Sequence, residues 1–365
     1  MLRSHMMRSI QQEGETEATR LFIPMTANSS GGTGYTDPNF YAYDLTTNSN
    51  ISTGLSESTT NLQASGCYDK SRNIIAVHEK NGVFRAYDGT TYSLLGSAGT
   101  SSTSGTVYTS CLDEDRGFFY TFADKNLMVY DYVNQQRTIS IDTGIDSVVL
   151  SCMYDKGNQT LWLGDASGFR EYDLSGLTIA NGGVLANWGF QNATTTGSYC
   201  LGLALDKDNG YLYSNKSLGT RAVERYTYST GSGSSLSLDA YYSIGYDPAD
   251  VLIDTNNSNE IIITTYNRAG DLYKHSSDLA TQHVATVFNF NFNTSFGGVF
   301  DPISGTGYTP TRQPVYIGKY DAGSQSLSNL SDFNILPSGR TGGSQARVYH
   351  IFTDGGGTKS TRAYD

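Results

Sequence analysis

The residues best equipped for chemistry in this chain are its carboxylates, and a dense group of them is Asp206-Lys207-Asp208-Asn209-Gly210. Alternating Asp followed by Gly opens a calcium loop, because a hard cation needs several oxygens delivered from one tight turn. A complete EF-hand loop places a bidentate Glu at its twelfth position, and here that position is Ser217. Asp206 and Asp208 are therefore weak metal candidates, and a plain turn is the preferred reading. Asp113-Glu114-Asp115-Arg116-Gly117 is a poorer version of the same pattern.

Other chemistry is thinly supplied. The five histidines, His5, His78, His275, His283 and His350, form no H-E-x-x-H or other close ligand pair. His78 and His350 are expected on strands near the centre of the fold, where hydrogen-bonded packing is commoner than ligation. No G-x-S-x-G elbow occurs, and the Gly-rich GGTG and GGGTK stretches lack the ending of a phosphate loop. A pair of glycosidase carboxylates converging from separate segments stays open. No catalytic residue and no cofactor is assigned. Cys67, Cys111, Cys152 and Cys200 contain no C-x-x-C pair and are expected as buried, reduced core thiols.

The carboxylates make better sense as punctuation. GCYDKSRNIIAV, SCLDEDRGFFYTF, CMYDKGNQTLWL, LALDKDNGYLYS, VLIDTNNSNEIIITT, GVFDPISGTGYT and YHIFTDGGGTKST each read as apolar strand, Asp, short polar turn, apolar strand. Their aspartates are Asp69, Asp113, Asp155, Asp206, Asp254, Asp301 and Asp354, at successive intervals of 44, 42, 51, 48, 47 and 53 residues. A second phrase, Tyr-Asp, keeps step at Asp44, Asp88, Asp131, Asp173 and Asp321. Degenerate copies stand at Arg225-Tyr226-Thr227 and Leu272-Tyr273-Lys274. Asp accepts backbone N–H groups in a turn, and Gly or Asn takes positive φ. Tyr packs between sheets with its hydroxyl near the edge.

A period in the forties with several short strands per unit predicts an all-β, seven-bladed β-propeller of four-stranded antiparallel blades. Within each unit the strand before the first Asp is innermost, and the Tyr-Asp strand is third. Six units hold both phrases. The leftover LFIPMTA and FYAYDLTT at the start, with ARVYHIFTD at the end, predict one blade shared between the two ends of the chain, which closes the ring. TKSTRAYD is a candidate second strand of that shared blade, and eight blades is the alternative count. The rhythm resembles the short-repeat seven-bladed group that includes the YVTN and lactonase-like families, over roughly residues 20–365. The Gly-His and Trp-Asp phrases of WD40 repeats and the double-Gly phrase of Kelch repeats are absent. The resemblance implies a fold and no activity.

Residues 1–19 read as an N-terminal arm, either disordered or an anchor to a partner, with Met6, Met7 and Ile10 as apolar anchors and residues 20–365 as a single propeller domain. The formal charge is -11, the pI about 4.9, and no basic stripe appears, which excludes nucleic acid as the expected partner. There are 27 Tyr and 40 Gly, charged residues are only 16%, and Ser, Thr and Asn fill the remaining surface. That composition resembles extracellular adhesins and virus-particle surfaces. No signal peptide or membrane-spanning stretch is visible. Tyr35, Phe40, Tyr241, Tyr242, Tyr246 and the FNFNFN run (Phe288, Phe290, Phe292) are candidate contact aromatics.

The expected function is a non-enzymatic surface, tail or spike propeller of a virion, bacteriophage in kind, that is structural or binds a receptor. Its expected partners are other particle subunits, through the arm, and a host glycan or protein. The alternatives are a secreted carbohydrate- or protein-binding scaffold and a lactonase- or glycosidase-like enzyme.

Overall fold

The computed structural model describes residues 17–24, 26–27, 40–53, 63–79, 82–99, 109–138, 141–145, 147–179, 189–195, 197–217, 219–228, 236–266, 272–286, 298–310, 317–324, 326–330, 346–347, 351–355 and 363–364. Among these there is no helix. Twenty-eight strands form seven antiparallel four-stranded sheets, and four short strands lie outside that scheme.

Blade 1 is the shared one. Its innermost strand is Phe352–Thr353, followed outward by Arg20–Pro24, Phe40–Asp44 and Ser49–Ile51. The other innermost strands are Gln63–Asp69 in blade 2, Ser110–Asp113 in blade 3 and Ser151–Asp155 in blade 4. Leu203–Asp206, Asp247–Asp254 and Val299–Asp301 serve blades 5, 6 and 7. Each innermost strand neighbours the next around the ring, and that of blade 7 neighbours that of blade 1. A two-stranded ribbon, Thr26–Ala27 with Ala346–Arg347, extends the shared blade's seam. The predicted closure by the 346–354 segment is thus observed.

Seven apolar clusters, one between each pair of neighbouring blades, fix the count at seven. Strand alternation builds them, since successive side chains face opposite neighbours. In Phe84–Asp88, Phe84 and Ala86 pack toward blade 3 while Tyr87 packs toward blade 1. The Tyr of the Tyr-Asp phrase is buried at Tyr43, Tyr87, Tyr130, Tyr172, Tyr226 and Tyr320. All four cysteines are buried and none is in a disulfide.

The turns repeat one geometry. The Asp carboxylate accepts the N–H groups two or three residues on, as Asp155 does from Gly157 at 3.1 Å and Asn158 at 3.4 Å. The residue four after the Asp then takes a left-handed φ, as at Asn73 (54°), Gly117 (71°), Gly210 (69°) and Gly305 (66°). Gln159 (52°) and Tyr92 (57°) adopt it without the usual small residue.

Three sequence expectations change. First, TKSTRAYD is not a second strand of blade 1: Ala363–Tyr364 pairs in parallel with Tyr154 and Asp155 of blade 4. The second place of blade 1 is already filled by Arg20–Pro24. Second, the degenerate Tyr-Asp copy of blade 6 is displaced. Ile261 pairs with His275, and Asp254 pairs with Glu260, so His275-Ser276 rather than Tyr273-Lys274 occupies the Tyr-Asp place. Third, Phe40 is fully buried against Phe22 and Phe352 instead of presenting a contact face.

Closure concentrates on one carboxylate. Asp354 accepts the Thr19 and Arg20 N–H groups at 2.8 Å, the Thr19 hydroxyl at 2.7 Å and the Arg20 Nε at 2.7 Å. Next to it, the Ala18 N–H reaches Asp301 at 3.1 Å. Replacing Asp354 by Ala removes four bonds at once, those of Arg20 part-buried and those of Thr19 exposed, and we expect a loss of about 2–4 kcal/mol in denaturant unfolding. Asp321→Ala, at an exposed turn, should cost less than half as much. Equal losses would deny the clasp its special place.

Candidate functional site

The seven aspartates between first and second strands form a ring of carboxylates at one end of the propeller, and all except Asp354, whose side chain is 8% exposed, are at least 96% buried by residue. Buried carboxylates in a ring are the arrangement from which a metal or acid–base site would be built. Their partners decide otherwise. Six of the carboxylates, all but Asp354, cap their own turns, and most of the seven also receive a donor from elsewhere. Asp69 takes the Tyr132 hydroxyl at 2.8 Å and Arg72 at 2.8 Å. Asp113 takes Arg116, which also reaches the hydroxyls of Tyr120 and Tyr154 at 3.1 Å each. Asp155 takes Lys207 at 3.0 Å, and Asp254 takes Lys274 at 3.0 Å. In Asp69 and Asp254 the second oxygen reaches another segment, whereas in Asp155 Lys207 shares the turn-capping oxygen and Asn158 takes the second.

The outer Tyr-Asp turns are the less buried counterpart, with Asp131 alone among them buried. The Thr46 hydroxyl and the Thr47 N–H hold the Asp44 carboxyl down to about 2. The N–H groups of Thr91 and Thr90 lower that of Asp88, and the Ser324 N–H lowers that of Asp321. Asp131 accepts Val133 and Asn134 N–H at 3.1 and 2.8 Å, and Asp173 accepts Ser175 N–H at 2.8 Å.

Asp206 and Asp208 do not converge. Asp206 is buried and bonded to Asn209 N–H at 3.2 Å, Asn209 Nδ2 at 2.8 Å and Asn259 Nδ2 at 3.1 Å, whereas Asp208 faces solvent in the turn. Among the described residues no group of three or more His, Cys, Asp or Glu is placed to hold a metal ion. His5, His350, Met6, Met7, Ile10, Tyr35 and the FNFNFN run lie outside the described residues.

His78 lies on the second strand of blade 2, not on an innermost one. Its ring is fully buried, stacked on Phe84 with centroids 4.7 Å apart, and its Nδ1 meets the Thr121 hydroxyl at 3.2 Å. That contact runs parallel to a hydrogen-bonded belt around the axis, in which Ser65 bonds Ser110 and Ser151 donates to the Cys200 carbonyl at 3.2 Å. Asn215 continues the belt to the Pro248 carbonyl at 3.3 Å, and Asp250 accepts the Gly298 N–H at 2.8 Å. Strand backbones approach so closely here that a Cβ on Gly202 would stand 2.8 Å from the Asp250 Cα.

The second cluster of titratable groups, invisible as a motif, lies at blades 5 and 6. The buried Lys274 ammonium sits 3.0 Å from Asp254 and 2.5 Å from Glu260, and Glu260 also meets His283. On the opposite face of the same strand His275 packs against Tyr242, centroids 3.9 Å apart, with both ring nitrogens lacking a hydrogen-bond partner. Tyr242 donates to Gln282 at 2.8 Å, beside the exposed Tyr241 and Leu238. The signal in sequence is a His in the Tyr place of the repeat, two residues after the Tyr273 that mimics it.

Burial holds both histidines neutral, His78 down to about 3 and His275, with help from His283, down to about 4. An unfolded histidine protonates near 6.5, so their contribution is full above that pH and declines as pH falls toward about 4. Unfolding free energy should therefore drop across this window by at most about 1.4 kcal/mol per pH unit per histidine. In a His78→Gln, His275→Gln variant the decline should flatten, as followed by urea unfolding at several pH values. An unchanged slope would place the acid sensitivity elsewhere.

No family model matches the chain. No curated protein matches it. Solved structures match in large number, 1428 chains. One is a functionally unknown protein from Desulfotomaculum acetoxidans DSM 771, with a TM-score of 0.65 and 8% identity, over 86% of this chain and 96% of that one. Another is a chain in the crystal structure of a mitotic checkpoint complex, with a TM-score of 0.58 and 13% identity, over 80% of each. At these identities the likeness is one of fold alone, and the chain is similar to propellers without inheriting a role from them.

Proposed function

We propose that the chain is a non-catalytic binding propeller, a surface, tail or spike component of a bacteriophage-type particle that contacts a glycan or protein through its outer strands. The observation that carries the reading is the division of labour between the two ends of each blade. The inner carboxylates are consumed by turn capping and by joining segments, while the outer strand of blade 5, Leu236–Ser243, turns its chemistry to solvent. Leu238 is 54% and Tyr241 48% exposed on it. A flat aromatic ring amid Ser and Asp side chains offers stacking and adaptable hydrogen bonds at small entropy cost. The acidic, hydroxyl-rich surface supports an extracellular or particle setting. Among the described residues no helix is long and apolar enough to cross a membrane.

A glycan array and an adsorption assay on bacterial cells test this together. The purified protein should bind a defined glycan class or cell surface. A Leu238→Ser, Tyr241→Ser variant should bind about tenfold or more weakly with its melting temperature unchanged. Turnover of a lactone or glycoside, or binding indifferent to these two residues, would contradict the reading.

A further inference from the structure

The innermost strand of each blade has one edge paired within its sheet and one edge turned to the propeller axis. In blade 4 the axial edge is occupied. Ser151–Asp155 pairs antiparallel with Thr160–Gly164 on one side and parallel with Ala363–Tyr364 on the other, through Tyr154↔Ala363 and Asp155↔Tyr364. Among the described residues no other blade's innermost strand carries such an axial partner.

The accepting edge is rigid before anything lands on it. The Tyr154 hydroxyl is bonded by Arg116 at 3.1 Å, and the Asp155 carboxylate by Asn158 at 2.5 Å and Lys207 at 3.0 Å. The arriving strand belongs to none of the seven sheets of four, so its departure breaks no blade. It has also come from the far side of the ring, since Phe352–Thr353 is the innermost strand of blade 1. A main-chain ladder on a preformed edge recognises an extended peptide, and identical segments from two copies satisfy it equally.

We propose that the axial edge of blade 4 at Tyr154–Asp155 is a strand-accepting peptide site, filled in cis by Ala363–Tyr364 and able to take the same segment from a second copy of the chain. The ligand class is an extended peptide laid parallel to the inner strand. The reading is independent of the contact surface on blade 5.

A fluorescent peptide of residues 358–365, TKSTRAYD, tests it by anisotropy against the full chain and a variant lacking residues 359–365. The shortened chain, which keeps every blade strand, should bind one peptide saturably. The full chain should bind about tenfold or more weakly, because its tethered strand competes at high effective concentration. A peptide carrying Ala363→Pro should bind neither, having lost a backbone donor. Equal binding by both chains, or none by a folded shortened chain, overturns the proposal. Amide exchange on the full chain decides the matter even if the shortened one misfolds. The Ala363–Tyr364 amides should be slowed about tenfold or more against unprotected rates, and unprotected exchange there would also overturn it.

Discussion

One carboxylate makes this ring a ring. Asp354, just past the innermost strand of blade 1, receives two backbone N–H groups, a hydroxyl and a guanidinium from Thr19 and Arg20. Arg20 in turn reaches the Gly89 carbonyl in blade 2 and lies 5.3 Å from the centre of the Phe22 ring and 5.7 Å from that of Tyr68. A blade has two apolar faces and cannot bury both alone, so each depends on two neighbours. Among the described residues, the two ends of the chain are linked at the seam by the short ladder of Phe352–Thr353 on Leu21 and Phe22, the Asp354 contacts, the Ala346–Arg347 ribbon and the packing around them. The carboxylate fixes their register by bonding to consecutive amides, which apolar packing could not do.

The same physics explains how a ring of buried acids is satisfied. A carboxylate has about four acceptor positions, and a turn fills two or three of them. The next donors, among them Tyr132 on Asp69, Asn259 on Asp206 and Ala18 on Asp301, come from elsewhere in the ring and take what remains. Lys274 shows the limit of this economy. Burial works against its charge, yet Glu260 and Asp254 outweigh that and raise its pKa. At these positions the carboxylates serve to hold turns and segments of the ring together.

Most of the architecture was legible because a repeated turn carries its own arithmetic. The Asp spacing gave the blades, and the leftover strands at both ends gave the shared one. Asn73, Gly117, Gly210 and Gly305 announced left-handed turn residues, while Gln159 and Tyr92 announced nothing, being held there by their Asp and the flanking ladders. What failed to read depended on partners distant in sequence. Leu272–His275 contains a Tyr that mimics the repeat, and only its pairing with Ile261 shows that His275 has replaced it. Phe40 follows a long polar stretch and looked exposed, but its partner Pro24 draws it into the seam. The resemblance of TRAYD to the repeat phrase concealed a parallel pairing that no periodicity encodes. The titratable group around Lys274 escaped notice because its members come from four different strands.

Native-state amide exchange at Leu21, Phe22, Ile23, Phe352 and Thr353 tests the dependence of the ring on its seam most directly. If closure holds the seven blades together, these amides exchange only through global unfolding, with the same free energy as Cys152 and Tyr154 in the inner strand of blade 4. Exchange at the seam several kcal/mol earlier, with blade 4 still protected, would mean that the blades stand without it and that the clasp is an ornament of the fold rather than its constraint.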